Sequence, residues 1–230
     1  MDKKLIYIAD DEINICNIIK SFLVKDGFNV EIFNDGRSVL NAFSKKQADM
    51  LILDIMIPEI DGYALCSLIR LKSCVPIIIV SAKDTESDKI AGLKLGSDDY
   101  LTKPFSPLEL IARINSIFRR ITLDKTPINI NIVKASDISI NFDTKQVNFN
   151  GNPLNLTVME LSLLYYLIKN KNKAVSRSEL LDKVWGFENK VETRATDDMI
   201  KRIRKKLSDV GSNLKIDTIW GFGFTIKDEE

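Results

Sequence analysis

Histidine is absent from the 230 residues, and cysteine occurs only at Cys16, Cys66 and Cys74, without metal-ligand spacing. That combination excludes the usual zinc centres, and an odd number of unpatterned thiols reads as reduced cysteine. Glycine and proline are also sparse, at 10 and 6, while 45% of the chain is hydrophobic, which excludes wholesale disorder. No apolar run approaches the length needed to cross a bilayer. The opening Met1-Asp2-Lys3-Lys4 leads straight into a short apolar stretch without signal-peptide architecture. The expectation is a cytoplasmic protein with no membrane partner. An excess of charge of one sign is missing too: the formal net charge is +1, so any nucleic-acid surface must arise from local clustering of Lys and Arg.

The first half carries short, continuous apolar runs at Leu5 to Ile8, Met50 to Leu53 and Pro76 to Val80. Such runs predict strands buried on both faces of a parallel sheet. Helical patterns fall between them. Ile15, Ile18, Ile19, Phe22 and Leu23 trace one helical face, and Gly27 stands where that helix should stop. Ser106-Pro107-Leu108-Glu109 has the N-cap, first-turn Pro and Glu of a helix start, and that helix closes the first domain near residue 121. Alternating strands and helices predict an α/β, doubly wound parallel sheet, whose functional crevice lies at the carboxyl ends of its strands.

Those ends are polar. Asp10-Asp11-Glu12 follows the first run, Asp54 the third strand, Ser81 the fourth, and Lys103-Pro104 follows a strand through Asp99-Tyr100-Leu101. Clustered carboxylates repel one another unless a cation intervenes, and hard oxygen donors suit Mg²⁺ with room left for phosphate oxygens. An Asp in such a place can attack a phosphoryl donor to form an acyl phosphate, which makes Asp54 the candidate nucleophile.

Asp10-Asp11, Asp54 with Pro58 and Gly62, Ser81-Ala82 and Lys103-Pro104-Phe105 together resemble the receiver domains of two-component response regulators, over residues 1 to about 121. The resemblance implies a flavodoxin-like fold in which Asp54 takes phosphate from a sensor histidine kinase. It implies a Mg²⁺ held by Asp10, Asp11, Asp54 and the backbone carbonyl of Met56, with Lys103 at the phosphoryl group. Ser81 and Tyr100 match the family's switch pair, a hydroxyl that turns toward phosphate and a ring that moves inward behind it.

Beyond residue 121 the pattern changes. Residues 122 to about 136 lack helical periodicity and read as a linker. Ile138, Ile140 and Phe142, then Val147 and Phe149, alternate with polar residues, and Asn150-Gly151 supplies a hairpin turn. Capping boxes at Thr157-Val158-Met159-Glu160 and Ser176-Arg177-Ser178-Glu179 start two helices. A third helix, from Thr193 to Leu207, gathers Ile200, Ile203 and Leu207 on one face, with Arg194, Lys201 and Lys205 on another and Arg202 in the same charge run. A basic helical face on a small three-helix unit suits the DNA major groove. The stretch from Ile216 to Phe224 then alternates apolar residues with glycine, as a hairpin whose tip, at Trp220-Gly221, would lie against nucleic-acid backbone. These segments resemble the winged-helix output domain of the OmpR/PhoB subfamily, an α+β domain over residues 137–230. The chain departs from the subfamily at Asp198-Met199 and Gly223-Phe224, so base preferences do not carry over.

The resemblance further implies a homodimer of phosphorylated receivers held by charged pairs that Lys89, Glu109, Asp99, Arg113, Asp98 and Arg120 match. Promoter DNA is the implied target, with RNA polymerase as a further partner. Two other readings compete. A phosphatase-like enzyme would carry a second acid–base Asp two residues after the nucleophile, where this chain has Met56, so no enzymatic turnover is expected. A DNA-binding regulator independent of phosphorylation would be marked by a missing acidic residue, and none is missing.

Overall fold

A computed structural model describes residues 3–85, 88, 91–92, 95–122, 132–142, 144–185 and 194–227, with the side chains of residues 120–122, 185 and 194–195 left aside. The chain divides into two compact units, residues 1–115 and 116–230.

The first unit is built on five parallel strands: β1 (Leu5–Ala9), β2 (Asn29–Phe33), β3 (Met50–Asp54), β4 (Ile77–Ser81) and β5 (Asp99–Thr102), in the order β2-β1-β3-β4-β5. The apolar runs explain the order. Every residue of β1, β3 and β4 is buried, so these strands occupy the middle, whereas β2 alternates exposed and half-buried residues at an edge. Helices α1 (Ile13–Lys25), α2 (Gly36–Lys45), α3 (Gly62–Arg70) and α4 (Pro107–Thr122) connect and cover them. Asp35 and Asp61 cap α2 and α3 by accepting the amides of Ser38 and Ala64. Gly27, with φ +95°, ends α1 where the sequence predicts. One core face unites Tyr7, Leu51, Leu53, Leu65, Ile69, Ile77 and Ile79.

The sheet grows one way from β1 to β2 and the other way from β1 through β3 to β5, and a doubly wound sheet opens its crevice where the winding switches, between β1 and β3. Register then fixes the neighbours. Ala9 pairs with Leu53, Asp54 with Val80 and Ser81 with Thr102, so Asp10, Asp54, Ser81 and Lys103 arrive at one edge as successive strand ends.

The second unit opens with an antiparallel sheet, β6 (Ile132–Ala135), β7 (Ile138–Asn141), β8 (Gln146–Phe149) and β9 (Asn152–Pro153), in sequence order. Asn150 and Gly151 both have positive φ, +47° and +84°, as a type I′ turn demands, and they join β8 to β9. Strand β6 corrects the linker expectation: residues 132–135 pair with β7, and only 123–131 of the expected linker, with Thr126-Pro127, lie outside the described residues. The adjacent apolar residues Ile132 and Val133 break the alternation there, and the strand is held by backbone pairing at an edge, where side-chain pattern says least.

Helix α5 (Val158–Lys169) begins with the expected capping box: the Thr157 hydroxyl accepts the Glu160 amide and the Glu160 carboxylate accepts the Thr157 amide. Ser176 accepts the Glu179 amide at the start of α6 (Arg177–Trp185). Helix α7 (Arg194–Asp209) buries Met199, Ile200, Ile203 and Leu207; the Thr193 start assigned from sequence is also outside the described residues. Strands β10 (Val175–Ser176), β11 (Ile216–Ile219) and β12 (Gly223–Ile226) form a sheet ordered β10-β12-β11.

Gly223 pairs with Ser176, and a Cβ there would sit 1.9 Å from the Val175 carbonyl oxygen, which strand backbone cannot yield cheaply. Gly223→Ala is therefore expected to cost about 1–3 kcal/mol of stability. Urea unfolding of the full chain should show a lower midpoint for the second unit at unchanged slope.

Candidate functional site

The centre of the acidic edge is an ammonium group. Lys103 Nζ lies 2.6 Å from Asp54 Oδ2, 2.7 Å from Asp10 Oδ2 and 3.2 Å from Glu12 Oε1. The other oxygens of the two buried carboxylates accept backbone amides: Met56 donates to Asp54 Oδ1 and Glu12 to Asp10 Oδ1, each at 3.0 Å. Asp11 stands beside them, exposed, and one carboxylate oxygen from each of Asp10, Asp11 and Asp54 falls within 4.8 Å of the others. Gly62 permits the packing beneath, since a Cβ on it would meet the Asp54 carbonyl oxygen at 2.2 Å. Met56 is exposed, and its side chain takes no part.

Burial pushes the Asp10 carboxyl above the usual carboxylate range, and its bonds with Lys103 and the Glu12 amide only partly offset this. Burial also works against the Lys103 ammonium, but hydrogen bonds with Asp10 and Asp54 outweigh it and raise that pKa. Cys16, beneath the cluster, is pushed up to about 12 by burial and the nearby Asp10 carboxylate, so the thiol stays protonated and inert.

The two residues assigned to a switch, Ser81 and Tyr100, both reach the backbone of Lys83. Ser81 is buried at the end of β4, where its hydroxyl accepts the Lys83 amide at 3.2 Å. Tyr100 has its ring turned inward, and its hydroxyl donates to the Lys83 carbonyl at 2.8 Å. Burial, with Tyr63 alongside, pushes the Tyr100 phenol up.

The six residues assigned to a dimer face divide. Arg113 reaches both oxygens of Asp99, at 3.1 and 2.9 Å, and Glu109 Oε1 at 2.8 Å, so these three close a cluster inside one chain. Asp98 does not fit the assignment: it is 0% exposed, with Oδ2 held by Arg70 at 2.8 Å and by the Ile77 amide at 2.9 Å. Its carboxylate anchors the approach to β5 and has no surface to offer a partner. Arg70, which sequence reasoning missed, lies 28 residues away, and no local pattern announces it. Lys89 and the side chain of Arg120 lie outside the described residues.

On α7, Lys201 and Lys205 are exposed as expected, while the side chain of Arg194 lies outside the described residues. Arg202 is a correction. Its Nε faces the buried Glu160 at 3.5 Å with the side chain 18% exposed, so it braces α7 against α5. Lys206 joins it, 2.7 Å from the same carboxylate. Glu160 was legible in sequence only as a cap; its second role depends on cations 42 and 46 residues further on. Arg204 was also missed as a brace. It donates to the Ile216 carbonyl at 2.9 Å and to the Thr218 hydroxyl at 2.8 Å, fastening α7 to β11. At the end of β11, Trp220 is 93% exposed and Gly221 adopts φ +70°.

This architecture has known counterparts. Residues 6–115 match the response regulator receiver domain, and residues 151–226 match the C-terminal domain of transcriptional regulatory proteins. The chain is 41% identical over 226 residues to the uncharacterized transcriptional regulatory protein YclJ of Bacillus subtilis, covering 97% of this chain and 99% of that one. This chain is a two-component response regulator of the OmpR/PhoB type. The regulator is also 40% identical over 222 residues to response regulator ArlR of Staphylococcus epidermidis, covering 96% and 99% of the two chains. Among solved structures, the response regulator DrrB of Thermotoga maritima, an OmpR/PhoB homologue, aligns over 98% of this chain and 100% of that chain at 29% identity, with a TM-score of 0.53. Two-component signalling and DNA-binding control of transcription are thus the business of this regulator. No helix among the described residues is long and apolar enough to cross a membrane.

The raised Asp10 carboxyl has a measurable consequence. A raised folded pKa means stability that is complete below the unfolded value and lost as pH rises through the folded one, so ionised Asp10 costs stability at neutral pH. Asp10→Asn should melt above wild type at neutral pH. The difference should shrink in acid, and differential scanning calorimetry across pH reads both trends.

Proposed function

We propose that Asp54 is the phosphoacceptor of this regulator and that a sensor histidine kinase supplies the phosphoryl group. The observation that carries the reading is the Lys103 ammonium 2.6 Å from Asp54 Oδ2 at the mouth of the crevice. A carboxylate oxygen attacks phosphorus, the bond to the donor's imidazole nitrogen breaks, and the imidazole leaves with a proton. Lys103 then pairs with the phosphoryl oxygens, releasing its hold on the carboxylate.

The donor set fits a hard divalent cation: three carboxylates with oxygens within 4.8 Å, and no nitrogen or sulfur ligand among the described residues of the cluster. Asp10, Asp11, Asp54 and the Met56 carbonyl would hold Mg²⁺. When bound, it would supply positive charge that offsets the mutual repulsion of these oxygens and of the incoming phosphate.

Ser81 and Tyr100 couple the crevice to the β4–β5 face. With phosphate on Asp54, the Ser81 hydroxyl turns toward it, and the inward position of Tyr100 is favoured. We assign residues 1–121 to the receiver and 137–230 to the winged-helix domain, with β6 completing the latter's first sheet from within the joining segment. Phosphorylation favours a homodimer in the cytoplasm. Lys89, Arg120 and the Asp99–Arg113–Glu109 cluster remain its candidate charged residues, now without Asp98. Exposed ion pairs give about 0–1 kcal/mol each, so several must act together with apolar contact. Two winged helices then meet repeated half-sites on promoter DNA, with Lys201 and Lys205 on phosphates or base edges.

Intact-protein mass spectrometry after incubation with acetyl phosphate or phosphoramidate and Mg²⁺ tests the chemistry: a single phosphoryl adduct on wild type, absent from Asp54→Ala. No adduct on wild type would leave a regulator that binds DNA without phosphorylation. Light scattering on the same samples should give a dimer mass only for the phosphorylated chain, and a phosphorylated monomer would remove the dimer step.

A further inference from the structure

The hairpin of β11 and β12 is an unusual surface for a DNA-facing element. From Thr218 through Ile226 it contains no ionisable residue, so it can neutralise no phosphate. What it presents is aromatic. Trp220 is 93% exposed and Phe222 is 48% exposed, separated only by Gly221 at φ +70°.

The tip is also well held. The Phe222 amide donates to the Ile219 carbonyl at 3.0 Å, closing the turn, and the Phe222 carbonyl accepts the Arg177 amide at 3.2 Å, tying the tip to α6. Behind it, Phe224 is buried with the Arg177 guanidinium 4.8 Å from its ring centroid, and Arg177 is itself fixed by Asp197 through two bonds of 2.8 Å. Arg204 fastens β11 to α7, so the turn and the helix that carries Lys201 and Lys205 belong to one braced unit. A rigid mount removes most of the ordering cost of bringing a large ring to a partner.

An indole kept in water on a fixed mount marks a contact surface. A hairpin tip can meet DNA through donors on phosphates or through apolar rings against bases, and this tip brings no cation to the first while it exposes two aromatic rings for the second. Rings that insert at a base step partly unstack it and are tolerant of sequence, because every base has a π-face. We propose that Trp220 is an apolar wedge that stacks at a base step of duplex DNA, so that this wing contributes affinity independent of salt while Lys201 and Lys205 contribute the salt-dependent part. The inference rests on the DNA-binding reading of the second unit, and it replaces the backbone contact expected from sequence for this tip.

The test uses the full-length protein, a short random-sequence duplex and a series of salt concentrations. Trp220→Ala should weaken binding about tenfold at every salt concentration, leaving the slope of log K against log salt unchanged. Lys201→Ala and Lys205→Ala should each reduce that slope by about 1. Trp220→Phe keeps a stacking ring and should restore most of the affinity, while removing the Trp220 fluorescence quenching expected of wild type on adding the duplex. Because the side chain is in water, all four variants should melt like wild type. Wild-type affinity in Trp220→Ala, with Lys201→Ala and Lys205→Ala weakened, would overturn the wedge and leave DNA binding standing. Unchanged affinity in all the variants would overturn DNA binding by this face itself. A Trp220→Ala protein that binds duplex normally but loses self-association in light scattering would assign the ring to a second copy of the chain, and would overturn the proposal as well.

Discussion

The pairing of one ammonium with two buried carboxylates is the constraint from which the receiver-like unit is organised. Asp10 and Asp54 end adjacent central strands of a parallel sheet, and their register leaves them no way to move apart. Both carboxylates are buried, and such a pair is costly without a counter-charge. Lys103 supplies it from the strand end two positions further along the sheet, and this requires β4 and β5 to be in register as well. The apolar core and the reactive edge are consequently not separate designs. The same strand order that buries Ile52 and Ile78 also delivers the three charges to one point.

A second constraint of the same kind organises the other unit. Glu160 is a buried carboxylate with Lys206 and Arg202 turned toward it, and Arg204 reaches the adjoining hairpin from the same helix. Three of the cations in the run from Lys201 to Lys206 thus hold α7 in place. Lys201 and Lys205 are left to face outward. Removing Glu160 would strand a mostly buried guanidinium, so this carboxylate sets the angle of the helix as much as it caps α5.

Legibility in the sequence followed the range of the interaction. The strand-end residues Asp10, Asp54, Ser81 and Lys103 were readable because apolar runs mark where strands stop, and the crevice of a doubly wound sheet lies at those stops. Caps at Thr157 and Ser176 and the Asn150-Gly151 turn were readable because their chemistry spans three or four residues. What escaped depends on partners far along the chain. Arg202 looks like its neighbours until Glu160 is placed opposite it, and Asp98 looks like Asp99 until Arg70 arrives from α3. Strand β6 escaped for another reason: an edge strand is held by its backbone, which every sequence possesses.

The inward turn of Arg202 and Lys206 limits how many phosphates a single copy of α7 can neutralise. Each neutralised phosphate steepens the response of binding to salt, so the fewer outward cations there are among the described residues of α7, the shallower that response is for one copy. If two copies must engage together, occupancy of a site rises with the square of protein concentration at low saturation. The buried carboxylate on α5 would then set a concentration threshold, filtering out small fluctuations in the amount of regulator without any contact to DNA of its own.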